Sequence, residues 1–117
     1  MKIDLTYLKN MSAGNKELVL EMIDIFKEQV TEFSELMDDY YSKKEFELLG
    51  RLAHKAKSSI SIMGLNDLAV ELKNFENLAK AGEKTETFPG FIEKFKKETS
   101  EAIEELDEVA KNLDIYI

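Results

Sequence analysis

Apolar residues in this chain recur at helical spacing almost from end to end. Between Asn15 and about Tyr41, the residues Val19, Ile23, Phe26, Val30, Phe33, Met37 and Tyr40 follow one another in alternating steps of four and three. Such steps keep every member on one stripe of an α-helix, whereas a half-buried strand alternates every second residue. At about 1.5 Å per residue this helix is roughly 40 Å long. Three more stripes follow: Phe46, Leu49, Leu52, Ala53, Ala56, Ile60 and Met63; then Leu65, Leu68, Leu72, Phe75 and Ala79; then Phe88, Ile92, Phe95, Thr99, Ala102, Leu106, Val109 and Leu113. Thr99 is the one polar member of the last stripe. A helix that is apolar on one stripe only is not stable alone, so the four must share a core.

Local signals mark the ends. Asn15 follows the turn-prone Ser12–Ala13–Gly14 and suits an N-cap, with Glu17 in the first turn where the helix dipole favours it. Ser42 and Glu45 have capping-box spacing and place the next helix start near Ser42. Gly64 is a stop signal, the third helix ends at Gly82, and Glu83 to Thr87 reads as a polar loop. Pro89 fits the first turn of the fourth helix, where its missing N–H costs nothing. Asp4 is placed to cap a short helix containing Leu5, Tyr7 and Leu8. Short connections make neighbours antiparallel, and a mean step of about 3.5 residues favours crossings near 20°. The expected fold is all-α: an antiparallel up-down four-helix bundle with a short additional N-terminal helix. It forms a single domain over residues 1–117, without internal repeats or low-complexity tracts. The chain opens on Met1 and fills one domain, as a free-standing protein would and as a domain excised from a larger kinase would equally.

Composition narrows the function. The 16 basic and 24 acidic residues leave a net charge of -8. That surface repels phosphodiester backbones and anionic lipid, which argues against nucleic acid or membrane as a partner and favours partners with basic patches. No apolar run reaches membrane-spanning length and the N-terminus lacks a secretory stretch, so the expected location is cytoplasmic. The absence of cysteine excludes disulfides, thiolate metal sites and a cysteine nucleophile. A single histidine cannot supply the paired ligands of a di-iron bundle. No phosphate-binding glycine loop, nucleophile elbow or EF-hand loop is present, and no metal ligand set is expected. The acidic run Glu101, Glu104, Glu105, Asp107 and Glu108 reads as a solvated helix face.

His54 stands apart from these patterns. Counting about 100° per residue, it points roughly 140° away from the centre of its helix's apolar stripe, so it faces solvent. Glu47, Gly50, Arg51, Lys57, Ser58 and Ser61 share its side of the helix. Gly50 and Ser58 lie one turn before and after it, both small, and Lys57 lies at i+3, within reach of anything bound to the ring. A glycine inside a helix costs about 1 kcal/mol relative to alanine, which implies that something approaches closely at Gly50. An exposed imidazole is largely neutral near pH 7 and keeps a lone pair for attack. Arg51 and Lys57 favour that neutral ring by like-charge repulsion and would stabilise an arriving phosphoryl group. The chemistry that suits this arrangement is a histidine accepting and handing on phosphate. A lone surface histidine beside a lysine is also a common feature with no function at all.

The segment Ala53–His54–Lys55–Ala56–Lys57–Ser58, followed by Gly64–Leu65 and by Leu68, Leu72 and Glu76, resembles the histidine-containing phosphotransfer (HPt) domain family. That family's pattern is a histidine with lysine at +3, a small residue at +4 and glycine at +10, here Lys57, Ser58 and Gly64. The stretch from Asn15 through Phe26 is similar to the family's first long helix. The resemblance implies a carrier rather than an enzyme. Such a carrier shuttles phosphoryl groups between aspartates of response-regulator receiver domains, or from a hybrid sensor kinase, without an ATP site or kinase activity. By position, His54 would be the phospho-acceptor, Lys57 would steady the phosphoryl oxygens, and Gly50, Arg51, Ser58 and Ser61 would lie on the receiver-docking face. No cofactor is implied, any magnesium belonging to the receiver, and a monomer is expected. Ser58 departs from the glycine usual at +4 and puts a hydroxyl on the docking surface. Ala56 is smaller than the aliphatic residue common at +2. The competing reading is a non-catalytic helical adaptor that docks a receiver or another helical partner.

Overall fold

The computed structural model describes residues 2–117, and every regular element among them is helical. In chain order these are α1 (Thr6–Ser12), α2 (Lys16–Ser42), α3 (Phe46–Ile62), α4 (Asn66–Ala81), a single 3₁₀ turn (Thr85–Thr87), α5 (Phe88–Lys111) and the short α6 (Leu113–Tyr116). Most ends follow their local signals. The Asn15 side chain accepts from the Leu18 N–H at 3.1 Å and caps α2. The Asp4 carboxylate accepts from the Thr6 N–H at 2.9 Å and from the Thr6 hydroxyl at 2.6 Å, just ahead of α1. Gly82 closes α4 in the left-handed region, and Pro89 sits in the first turn of α5.

Two boundaries differ from their sequence signals. Ser42 and Glu45 do not form a capping box: Ser42 is the last residue of α2 and donates its hydroxyl to the Asp39 carbonyl at 2.8 Å. Glu45 precedes α3 without a side-chain cap, because the chain reverses through Lys44 at positive φ and separates the two residues. At the C-terminus, α5 stops at Lys111 rather than running on to Leu113. Asn112 leaves helical geometry, and the chain re-enters a helix at α6.

The four stripes meet in one contiguous core. Phe75, Phe88, Phe95, Leu49, Met37 and Leu106 are among its fully buried side chains. Tyr40 and Leu113, at the ends of their stripes, are only half-buried. Thr99 fits the core because its hydroxyl donates to the Phe95 carbonyl at 2.7 Å, and no buried side-chain polar atom among the described residues lacks a partner. The closest helix pair is α3 with α4; α2 packs on α3 and α5, and α4 meets α5.

The N-terminal segment acts as a strap over this core. The Asp4 N–H donates to the Met63 carbonyl at 3.1 Å, and the backbone N–H groups of Lys2 and Ile3 donate to Glu105 at 2.7 and 3.2 Å. The Lys2 ammonium lies 2.6 Å from Glu101, and Lys27 of α2 pairs with Asp107. The acidic run on α5 is therefore more than a solvated face: it anchors both the strap and α2.

Candidate functional site

His54 stands on the outer side of α3 with its side chain 61% exposed, as the helical count requires. Its Nδ1 lies 3.0 Å from Oε2 of Glu76, a residue of α4 whose side chain is 4% exposed. Three lysines surround the same carboxylate. Lys80 Nζ reaches Oε2 at 2.7 Å, while Lys57 Nζ lies 3.5 Å and Lys73 Nζ 3.9 Å from Oε1. Lys57 comes from α3, one turn beyond His54; Lys73 and Lys80 flank Glu76 at i−3 and i+4 on α4.

The protonation state follows from these contacts. Burial pushes the Glu76 carboxyl upward, but hydrogen bonds from Lys80 and His54, with the charges of the His54 ring when protonated and of Lys73, outweigh it and hold the group down at about 2. An ionised carboxylate has no proton to give and only accepts. A neutral imidazole beside it must therefore carry its hydrogen on Nδ1, which leaves the Nε2 lone pair unprotonated. The sequence had suggested a ring flanked by unbalanced cations; the structure puts a buried anion in their midst.

The other candidates separate. Ser58 and Ser61 are exposed along α3, as expected. Arg51 is exposed too, but its guanidinium pairs with Glu47 one turn back at 2.8 Å rather than with Glu76. Gly50 does not lie on an open docking face. It is buried, and a Cβ there would lie 2.7 Å from Lys80 Cγ and 3.2 Å from the Glu76 carbonyl oxygen. What approaches closely at Gly50 is α4 itself.

Glu76, Lys73 and Lys80 have no role in the site when the sequence is read alone. The available signal was a carboxylate within a buried stripe, four residues after Leu72 and three before Ala79. A second unpredicted surface feature is an apolar groove of about 180 Å³ between α2 and α3, lined by Met22, Ile25, Gln29, Ser59 and Ile62 among others. Ser59 donates across it to Gln29 Oε1 at 2.8 Å.

Residues 21–114 match the Hpt domain family model. The match spans most of the chain and takes in His54, Lys57, Glu76 and Lys80, and the chain belongs to the Hpt domain family. Curated proteins and solved structures gave no match.

Proposed function

We propose that this chain is a phosphocarrier that relays a phosphoryl group between receiver-domain aspartates in a multistep two-component phosphorelay, through His54. The observation that carries the reading is the hydrogen bond between Nδ1 of an exposed histidine and a buried, ionised carboxylate. In the transfer, the Nε2 lone pair attacks the phosphorus of an aspartyl phosphate. The N–P bond forms as the bond to the aspartate oxygen breaks, and the carboxylate leaves. No proton has to move, because Nδ1 keeps its hydrogen and the ring takes up the positive charge. Glu76 stabilises that charge at hydrogen-bond distance, and the reverse sequence hands the group on.

Lys57 is the cation best placed to turn towards the phosphoryl oxygens, since it stands on α3 one turn beyond His54 and its contact with Glu76 is a loose 3.5 Å. The receiver docks over Arg51, Ser58 and Ser61, with the apolar groove beside Ile62 as a further landing surface. The scaffold is an up-down antiparallel four-helix bundle in a single domain over residues 1–117, working as a cytoplasmic monomer. It needs no ATP site or cofactor, and magnesium is supplied by the receiver.

Incubation with phosphorylated receiver domains tests this. Wild type acquires acid-labile phosphate, and His54→Gln, equally folded by circular dichroism, acquires none. Intact wild type left unlabelled by a panel of receivers sinks the proposal. A receiver bound equally by both proteins, with phosphate on neither, marks a non-catalytic adaptor instead.

A further inference from the structure

Gly50, Lys80 and Glu76 form one unit behind the imidazole. Gly50 lies one turn before His54 on α3, and Lys80 lies one turn after Glu76 on α4. The missing Cβ makes room for Lys80: an added carbon at Gly50 would stand 2.7 Å from Lys80 Cγ and 3.1 Å from its backbone nitrogen. The stem of Lys80 thus lies over the glycine, and its ammonium arrives at Glu76 Oε2 at 2.7 Å. This is the shortest of the cation contacts on that carboxylate. It falls on the same oxygen that meets His54 Nδ1, whereas Lys57 and Lys73 touch the other oxygen at 3.5 and 3.9 Å. A carboxylate rotates about its terminal torsion, where side chains have only broad preferences. The short Lys80 contact on Oε2 holds that torsion with an oxygen turned to the His54 ring.

We propose that Lys80, seated by Gly50, is a positioning residue for phosphoryl transfer: it fixes the Glu76 carboxylate so that Oε2 keeps the His54 proton on Nδ1. The inference rests on the phosphocarrier reading. Lys80 acts through Glu76 and touches no phosphate. It also gives Gly50 a reason to interrupt a helix, because an alanine there would force the Lys80 stem and the α4 backbone outward.

The chain holds one histidine, so ¹⁵N NMR of its imidazole reads a single ring and its tautomer directly. Wild type shows the Nδ1–H form predominating. Lys80→Met keeps the stem over Gly50 and removes the charge at a half-exposed site, so the fold persists. In this variant the Nδ1–H share falls by more than half. Phosphoryl acceptance slows about tenfold, the loss seen when an outer group that orients an imidazole is removed at metal sites. Lys80→Arg restores both, Lys73→Met leaves the tautomer as in wild type, and Gly50→Ala reproduces the shift of Lys80→Met. An unchanged tautomer in Lys80→Met, or an equal shift in Lys73→Met, overturns the inference, whatever happens to transfer. Failure of wild type to accept phosphate overturns the carrier reading instead, and the tautomer result stands apart from it.

Discussion

A carboxyl group 3% exposed to water would ordinarily hold its proton, yet Glu76 is ionised because His54 and three lysines converge on it. The stability consequence has a definite sign. The folded-state value of about 2 lies below the ordinary 4.5, so the group adds stability above pH 4.5 and loses it as pH falls towards 2. That gap corresponds to about 3 kcal/mol. Urea denaturation should find Glu76→Gln about 3 kcal/mol less stable than wild type at pH 7, with the difference closing between pH 4.5 and 2. A difference constant across that range would show that Glu76 is not held ionised by its partners. Lys57→Ala is the contrasting case: its contact with Glu76 is long, so stability moves by less than about 0.5 kcal/mol while phosphoryl transfer slows. A larger shift in the unfolding midpoint would mean that Lys57 supports the fold. The two residues also differ in how far the sequence discloses them. His54 and Lys57 lie on one turn, and helical counting pairs them. Glu76 is 22 positions from His54 on another helix, and no local spacing joins them. Arg51 shows the converse error: it shares the side of His54 on a wheel, but Glu47 claims its guanidinium.

The helices themselves were legible because their stripes are regular. Phe26 and Phe95, central members of the α2 and α5 stripes, are 2% and 0% exposed. Truncation to alanine at either should cost about 3–5 kcal/mol in chemical denaturation, as buried aromatic losses do. Near-zero cost at both would mean that the stripes do not face a common core. Boundaries were less legible where geometry depends on the following turn. The spacing of Ser42 and Glu45 satisfies a capping rule, but Lys44 at positive φ sends the chain elsewhere. Glycines at two helix ends look equivalent in sequence and are not. Gly64 and Gly82 both have positive φ, at 73° and 66°. A Cβ at Gly82 meets nothing within 4 Å, whereas at Gly64 it would stand 2.4 Å from Asp4 Cβ and 2.6 Å from the Asp4 backbone. Gly82→Ala should therefore cost only the left-handed penalty of about 1–2 kcal/mol. Gly64→Ala adds an overpacking cost, for about 2–5 kcal/mol in all. It should also detach the strap, raising amide exchange at Asp4. Equal costs at the two sites would show that the strap does not bear on Gly64.

Across the whole molecule, charge is divided between helices. The α2 segment carries eight acidic residues against two basic, α5 seven against four, and α3 one acidic residue, Glu47, against Arg51, Lys55 and Lys57. The helix bearing His54 is thus net positive within a chain of net charge -8. An anionic phosphoryl group approaching α3 is attracted locally, and a basic rim around it on the partner would be attracted by α2. The two attractions act on different length scales. The screening length is about 30 Å at 0.01 M salt, about 10 Å at 0.1 M and about 3 Å at 1 M. The long-range attraction to α2 therefore weakens first, and the attraction at α3 later. For a receiver with a basic rim, kcat/KM for phosphoryl transfer should fall steadily with salt, by about tenfold or more between 0.01 and 1 M. Lys55→Glu, exposed beside His54, should lower the rate at 0.1 M while leaving the unfolding midpoint in place. Glu28→Lys and Glu32→Lys on α2 should lower it mainly at 0.01 M. A rate that rises with salt would reverse the assignment: the acidic surface would then be repelling the partner, leaving α3 alone to hold it.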